Sequence, residues 1–285
     1  MLKKLKLTLE MIRFSHSIFA LPYAFIGMFM AAKGVPPISK MILIIIAMVS
    51  ARSSAMAFNR IADYDVDKLN PRTKSWHLPS GKISFQYVGV FITLMIILFE
   101  GSAYLLNPLA FYLSPLALII VLGYSLTKRF TYFTHICLGL ALALAPMGSW
   151  IGVQGRFAVE PFLLMLAVIF WVAGFDILYS LQDYEFDLKM KLYSIPQKFG
   201  KQKAINISRL FHLIYVLILF LLMFFGSYGF GTIYLIGVGI VAVLLIYEHS
   251  IISAKDISRI NEAFFLANSI ASLIFMFFTI LDILI

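Results

Sequence analysis

Two short stretches of the sequence place aspartates in pairs at the ends of apolar segments. The first, N-R-I-A-D-Y-D-V-D, spaces Asn59, Asp63 and Asp67 four residues apart. The second, D-Y-E-F-D, gives Asp183 and Asp187 the same spacing. Residues four apart share a face of an α-helix, so each stretch presents two carboxylates side by side. Two neighbouring carboxylates repel each other unless a cation binds between them. A divalent hard cation such as Mg²⁺ suits this role because it takes oxygen ligands and is commonly shared with substrate phosphates.

The two stretches are related by a constant offset. Asp183 follows Asp63 by 120 residues, and Asp187 follows Asp67 by the same number. Each pair is followed by basic residues and a proline, Pro79 or Pro196. The intervening acids, Asp65 and Glu185, face away from the pairs. The offset predicts a duplicated unit of about four helices in a single domain, 1–285. The repeat-like halves are roughly 14–127 and 134–252, with an extra helix at 261–284.

The elements that carry these acids are apolar enough to cross a membrane. Hydrophobic residues make up 61% of the 285 residues and charged residues only 13%, against about 25% charged in soluble domains. Apolar stretches of about 20 residues span a bilayer as helices, which satisfy their own backbone hydrogen bonds. The sequence thus predicts an all-α polytopic membrane protein, a bundle of about nine helices containing two four-helix repeats. The predicted spans are 14–32, 41–62, 84–106, 108–127, 134–153, 160–183, 204–225, 230–252 and 261–284.

The joints and the charges between spans set the predicted topology. Asn107-Pro108 and Gly226–Gly231 read as tight hairpins. With a cytoplasmic N-terminus, the inner segments hold 19 of the 23 Lys and Arg residues and the outer ones 3, the last being Arg52 within a span. The net charge of +9 therefore reflects the positive-inside bias rather than nucleic-acid binding. Both acidic stretches are then cytoplasmic, in a bacterial or archaeal cell membrane, and residues 1–13 form an amphipathic surface helix.

Further polar residues fall near the acidic pairs. Arg52 lies two turns deeper than Asn59 on the same face, and Asp176 and Tyr179 share the face of the second pair. Charges at that depth are functional candidates, although a structural pair between Arg52 and Asp176 is an alternative. His16, alone in the first span, is either a packing residue or a substrate contact. The cations available for phosphate oxygens are Arg72, Lys74, Lys128 and Lys189. The pattern predicts a metal-bridged diphosphate at the mouth of an apolar bundle that could hold a hydrocarbon tail.

Several motifs together resemble one known family. The stretch A-M-A-F-N-R-I-A-D-Y-D-V-D followed by N-P-R-T-K resembles the N-x-x-x-D-x-x-x-D motif and basic loop of UbiA-type intramembrane aromatic prenyltransferases. Y-S-L-T-K, Tyr124–Lys128, resembles their Y-x-x-x-K motif, and D-I-L-Y-S-L-Q-D-Y-E-F-D resembles their second aspartate motif. R-F-S-H-S-I-F-A-L-P resembles the branch that prenylates aromatic acids such as 4-hydroxybenzoate, which grades into menaquinone-pathway relatives.

The resemblance implies a Mg²⁺-dependent polyprenyltransferase of quinone biosynthesis, acting on a polyprenyl diphosphate and an aromatic acid in the bilayer. It implies that the four paired aspartates hold Mg²⁺, assisted by Asn59. It also implies that Arg72, Lys128 and Tyr124 contact the diphosphate and makes Arg52 the candidate for the acceptor carboxylate. One departure is Trp76, where relatives often carry Arg.

Two other classes of protein are weighed against this prediction. A transporter for a divalent cation or small solute would also use repeats and buried charges. However, two four-helix units in parallel orientation place both acidic pairs on one side, which suits a one-sided catalytic mouth better than alternating access. A membrane scaffold gives no reason for the matched spacing. For the enzyme, 4-hydroxybenzoate is the first candidate acceptor and a menaquinone-pathway naphthoate or related precursor the second.

Overall fold

The computed structural model describes residues 2–225 and 229–285, and within them it confirms the all-α membrane fold. In this part of the chain, nine helices are long and apolar enough to cross a membrane by length and composition. The α-helices are α1 Leu2–Met11, α2 Leu21–Ala32, α3 Ile38–Ala62, α4 Tyr64–Leu69, α5 Phe85–Leu106, α6 Pro108–Gly123, α7 Thr134–Gln154, α8 Val159–Ser180, α9 Tyr184–Met190, α10 Ile195–Phe199, α11 Lys201–Leu222, α12 Thr232–Ser250 and α13 Asn268–Leu284.

Several predicted spans are not uniform α-helices. Short 3₁₀ segments, Phe14–Phe19 and Tyr124–Arg129, begin the first span and end the fourth, and a π-helical turn, Glu262–Ala267, begins the ninth. The sixth predicted span, 160–183, is continuous α-helix only to Ser180 and passes into a 3₁₀ turn, Leu181–Asp183. Tighter or wider turns of this kind often mark functional positions, and here all four border the cavity described below.

Asn107 makes the predicted hairpin between α5 and α6. Its side-chain Oδ1 accepts a hydrogen bond from Ala110 N (2.9 Å), which caps α6, and Pro108 occupies the first helical position. Its Nδ2 donates to Ile151 O at the end of α7 (2.8 Å). The hairpin is therefore tied to the neighbouring helix. The second predicted hairpin includes residues 226–228, which lie outside the described part of the chain.

The centre of the bundle is α8, which packs between α7 and α11. Its residues Leu164, Ala167, Trp171 and Ile177 have no exposed surface. Close approach is possible because small residues lie at the crossings: a Cβ added at Gly139 of α7 would lie 2.5 Å from the backbone oxygen of Ile169. Small residues are the usual means of helix contact in lipid, where apolar burial between helices contributes little.

The two aspartate stretches break their helices in the same way. Asp63 ends α3 with φ −95° and ψ 4°, and Asp183 precedes α9 with φ −97° and ψ 3°. Both lie in the sparsely populated bridge region, where turn and active-site residues are common. Each break is followed by a short helix, α4 or α9. A duplicated unit would give this correspondence, and the division into repeats stays a prediction.

Candidate active site

A cavity of about 470 Å³ lies between the membrane helices, with all four paired aspartates at one end. One face of α3 lines it from Ile44 to Asp63, about 28 Å at the rise of an α-helix. Its deeper wall is apolar and contains many small residues. These include Ala24, Ala47, Ala51, Ala55, Ala103, Ala110, Ala117, Ala141, Ala145 and Gly148. The cavity therefore joins a charged mouth to a narrow apolar interior.

The first acidic pair is buried and faces two cations. Lys128 Nζ lies 2.7 Å from Asp63 Oδ2, and Asn59 Nδ2 donates to the same oxygen at 3.0 Å. Arg60 lies 3.6 Å from Asp67, and both side chains are more than nine-tenths buried. Arg60 also donates to Asn59 Oδ1 (2.9 Å), so the first pair is held from two sides. Lys128 reaches Asp63 because the 3₁₀ turn at the end of the fourth span carries it to the mouth.

The second acidic pair lies across the mouth. Arg72 grips Asp183 with two hydrogen bonds, Nε to Oδ1 (2.9 Å) and Nη2 to Oδ2 (2.5 Å). Asn70 Nδ2 adds a third hydrogen bond to Asp183 at 3.1 Å. Asp187 accepts a weaker bond from Ser194 Oγ (3.3 Å). A fork-shaped guanidinium contact fixes both distance and angle, so the loop after α4 is joined directly to the end of α8.

That loop folds over the mouth around an aromatic centre. Its start is fixed by Thr73 Oγ1, which donates to Asp67 O at 2.9 Å. The guanidinium carbons of three arginines then lie 4.8, 4.3 and 5.6 Å from the Trp76 ring centroid; they belong to Arg13, Arg60 and Arg72, respectively. All are within the range of a cation–π contact. Trp76 therefore groups three cations at the mouth.

The donor set at the mouth fits a divalent cation. Asp63 Oδ1 and Asp67 Oδ2 are buried without a hydrogen-bond partner, an arrangement that is costly unless a cation is shared. Burial raises the pKa of Asp67, while Arg60 opposes the rise and Asp63 adds to it. Across residues 2–225 and 229–285, no group of three or more His, Cys, Asp or Glu side chains could hold an ion alone. The site fits carboxylate pairs whose coordination is completed by a diphosphate and water.

The deeper polar residues line the same cavity, below the mouth. Arg52 donates to the backbone oxygens of Ile12 (3.5 Å) and Arg13 (3.4 Å). Asp176 pairs instead with His135, at 2.7 Å between Oδ2 and Nδ1. The predicted alternative of an Arg52–Asp176 pair is therefore wrong.

Aromatic side chains complete this wall. Tyr179 packs on Phe264 with ring centroids 4.0 Å apart. His16 contacts Phe264 and Phe265 at 5.5 and 5.4 Å between ring centroids. Tyr124 directs its hydroxyl to Met56 Sδ (3.9 Å). Tyr179, His16 and Tyr124 all line the cavity.

Lys189 is a predicted site residue that the structure does not bring to the cavity. It is exposed on α9, two positions after Asp187, and two helical positions turn it to the other side of this short helix. Lys74, which the sequence also offers as a cation for phosphate oxygens, is exposed as well and absent from the cavity wall.

The structure adds residues that the sequence interpretation missed. They are Arg60, Asn70, Trp76 and His135, all of which contact a predicted site residue. In the sequence Arg60 resembles a loop cation, although its position directly after Asn59 indicates that it lies near the first acidic pair. His135 and Asn70 depend on contacts with residues 41 and 113 positions away, which local spacing does not show.

This fold and cavity define an intramembrane enzyme for an amphiphilic substrate, and comparisons with known proteins identify its class. The model of the UbiA prenyltransferase family matches residues 20–270. The 4-hydroxybenzoate octaprenyltransferase of Francisella tularensis subsp. novicida is 30% identical over 249 residues, which cover 87% of this chain and 86% of the relative.

Solved structures give the same result. A UbiA homolog from Aeropyrum pernix K1 superposes with a TM-score of 0.85 at 32% identity, covering 94% of this chain and 98% of its own. A UbiA homolog from Archaeoglobus fulgidus bound to GPP and Mg²⁺ superposes with a TM-score of 0.75 at 23% identity, covering 97% and 99%. The chain belongs to the UbiA prenyltransferase family. It is a membrane-embedded transferase, as the motifs indicated.

Proposed function

We propose that this enzyme transfers a polyprenyl group from an allylic polyprenyl diphosphate to a ring carbon of an aromatic acid, releasing diphosphate in quinone biosynthesis. The observation that carries the proposal is the mouth, where two facing aspartate pairs and their cations open onto an apolar cavity. 4-Hydroxybenzoate is the first candidate acceptor, because it is the substrate in the name of the Francisella relative. A menaquinone-pathway naphthoate or related precursor is the second.

The four paired aspartates would hold Mg²⁺, with Asn59 orienting Asp63 through their hydrogen bond. Asp63 Oδ1 and Asp67 Oδ2, which have no hydrogen-bond partner, would supply ligand positions on the first side, with Arg60 giving up its ion pair to Asp67. On the second side, Asp183 would give up contacts to Arg72 and Asn70, and Asp187 would give up its contact to Ser194. The bound metal would neutralise charge that develops on the departing diphosphate.

The cations of the mouth would bind the diphosphate itself. Lys128 and Arg72 already reach opposite acidic pairs, so a diphosphate between the pairs lies within reach of both. Arg60 is a further candidate because it is buried beside Asp67. Tyr124 borders the same end of the cavity. The sequence position of Lys189 suggested a similar role, but its exposure on α9 gives that role no support.

The acceptor would lie just below the diphosphate. Arg52 is a cation for the aromatic carboxylate, while Tyr179 and His16 provide ring contacts on the adjoining wall. The allylic carbon loses the diphosphate and becomes electron-poor, and the acceptor ring carbon beside the hydroxyl forms the new carbon–carbon bond. The small-residue wall of the cavity would hold the tail and exclude water from the cationic carbon.

The orientation in the membrane follows from charge. The segments that carry both acidic pairs also carry most of the Lys and Arg residues. By the positive-inside rule these segments and the N-terminus would be cytoplasmic, and the enzyme would lie in a bacterial or archaeal cell membrane. The diphosphate mouth would then open to the side on which water-soluble acceptors are made.

A single incubation tests the function. Purified protein in nanodiscs receives Mg²⁺, labelled geranyl diphosphate or a longer analogue, and one of a panel of aromatic acids. We expect diphosphate release and a prenylated ring product with one acceptor, and neither without Mg²⁺. Release without any dependence on an acceptor, or ion flux in proteoliposomes without chemistry, would overturn the proposal.

A further inference from the structure

His135 and Asp176 form a buried pair in the cavity wall, one step deeper than the diphosphate mouth. His135, near the start of α7, is only 2% exposed. Its Nδ1 lies 2.7 Å from Asp176 Oδ2 on α8. Both residues line the cavity, and Asp176 keeps about a fifth of its side chain exposed there. Neither residue forms a hydrogen bond with the proposed metal and diphosphate residues in the described part of the chain.

The hydrogen bonds of His135 indicate which of its ring nitrogens carries the proton. The other ring nitrogen, His135 Nε2, accepts the backbone N–H of Ile195 at 3.3 Å. A neutral imidazole that accepts at Nε2 carries its proton on Nδ1. His135 therefore donates to Asp176 Oδ2, and Asp176 Oδ1 accepts no hydrogen bond from the described residues. One oxygen is anchored and the other is open to the cavity.

Depth separates Asp176 from the other carboxylates. Five carboxylates line the cavity: Asp63, Asp67, Asp176, Asp183 and Asp187. Four of them are at the mouth, where the proposed function assigns them to metal. Asp176 precedes Asp183 by seven residues, roughly 10 Å along the helix axis. That distance places it beside the first carbons of a tail whose diphosphate lies at the mouth, where the acceptor ring must also be.

We infer that Asp176 is the base that removes the ring proton, and that His135 is a positioning residue that orients it. When the ring carbon bonds to the allylic carbon, the carbon–oxygen bond to diphosphate breaks and its electron pair leaves with diphosphate. The C–H bond of the attacked ring carbon then returns its electron pair to the ring, and the proton passes to Asp176 Oδ1. This assignment rests on the proposed function.

Charge supports this orientation of the acceptor. An aromatic carboxylate is repelled by Asp176 and attracted by Arg52, and both residues line the cavity. The acceptor would therefore direct its carboxylate to Arg52 and its hydroxyl edge to Asp176. The reacting ring carbon is next to that hydroxyl, so the proton to be removed faces the free carboxylate oxygen.

The test uses an acceptor deuterated at the ring positions beside the hydroxyl. In Asp176→Asn, which keeps the size of the side chain, we expect kcat to fall roughly 10²–10⁴-fold, the usual contribution of a general base. The KM for the prenyl diphosphate should stay unchanged. A primary deuterium isotope effect larger than that of the unaltered enzyme should appear, because proton removal becomes rate-limiting. Steady-state kinetics gives kcat and KM, and single-turnover rates with the protiated and deuterated acceptors give the isotope effect.

His135 distinguishes orientation from simple bundle support. His135→Gln can still donate to Asp176 and should retain more activity than His135→Leu, with the isotope effect rising only in the latter. Thermal stabilisation by geranyl diphosphate and Mg²⁺ checks that each variant is folded. Equal losses in both variants without any isotope effect would mean that the pair only joins α7 to α8, and would overturn the inference.

The outcomes also separate this inference from the function itself. If the unaltered enzyme prenylates no acceptor, the proposed function fails. If it does so while Asp176→Asn keeps its rate and shows no isotope effect, only the inference fails. An isotope effect that appears in His16→Gln rather than in Asp176→Asn would assign the base to His16 and would equally overturn it.

Discussion

Lys128 Nζ and Asp63 Oδ2 lie 2.7 Å apart at the mouth of the cavity. The same relationship recurs twice, between Arg60 and Asp67 at 3.6 Å and between Arg72 and Asp183 at 2.5 Å. In each case a cation suited to diphosphate neutralises a carboxylate suited to metal. If Mg²⁺ binds alone, it must displace these cations from the carboxylates. If diphosphate binds alone, it must draw the cations away from the carboxylates and leave those acids buried without a partner. Together the two ligands replace every broken contact.

Mg²⁺ and prenyl diphosphate should therefore bind cooperatively. We expect geranyl diphosphate to bind about 5- to 150-fold more tightly with Mg²⁺ than with EDTA, the usual range of coupling between sites. By linkage, the diphosphate should raise the Mg²⁺ affinity by the same factor. Isothermal titration calorimetry in nanodiscs measures both factors. Equal diphosphate affinities with and without metal would contradict the exchange of partners.

Lys128→Met should move the two affinities in opposite directions. Removal of the cation weakens diphosphate binding by about 1.5–3 kcal/mol, the value of a hydrogen bond to a charged group. Because Lys128 no longer competes with Mg²⁺ for Asp63, Mg²⁺ alone should bind more tightly. Titration of each ligand separately checks the signs. Lys74→Met, an exposed change outside the cavity wall, is the matched control and should leave both affinities in place.

The sequence was sufficient for the elements whose pattern is local. Span positions follow from apolar length because lipid requires each helix to satisfy its own backbone. Asp63 and Asp67 were placed together by four-residue spacing, which survives the break between α3 and α4 since both still line the cavity. The same argument put Asp176 on the face of Asp183.

The rest of the site depends on contacts between distant segments. Arg60 resembles a loop cation in sequence, but the folded loop covers it with Trp76, 16 positions later, at 4.3 Å from its guanidinium carbon. His135 falls in an apolar run, and its role depends on Asp176 in another helix. The prediction that Lys189 lies at the site rests on local spacing alone. The short helix α9 turns Lys189 away from Asp187, which it follows by two positions.

Asp63→Asn and Asp183→Asn should each abolish Mg²⁺-dependent transfer while the protein still inserts and folds. Each change removes one negative ligand and preserves side-chain size, so the loss reports on metal binding rather than on packing. Asp65→Asn is the control, since Asp65 is exposed within the same stretch and should behave as the unaltered enzyme. Product formation and thermal stability in detergent measure the two properties. Near-normal turnover in either variant would remove its aspartate from the metal site.

Trp76→Ala should weaken diphosphate binding more than catalysis. Its ring contacts the guanidinium groups of Arg13, Arg60 and Arg72, and the loss of these cation–π contacts should cost about 1–2 kcal/mol, or five- to thirty-fold in KM. Trp76→Phe keeps an aromatic face and should retain most of the affinity. Diphosphate binding should change the tryptophan fluorescence of the unaltered enzyme. The change should be much smaller in Trp76→Phe, which lacks this tryptophan. A lower kcat with an unchanged KM would contradict this role.

Gly139→Ala should destabilise the bundle at the crossing of α7 and α8. A Cβ at this position would lie 2.5 Å from the backbone oxygen of Ile169. A backbone atom cannot rotate away as a side chain can, so the helices must separate, at a cost towards the upper end of the usual 1–3 kcal/mol for overpacking. Gly148→Ala lies on the same helix with no atom within 4 Å of the added carbon, and should match or slightly exceed the original stability because alanine favours helix. Thermal unfolding of both variants in detergent gives the comparison, and equal melting temperatures would show that the crossing can relax.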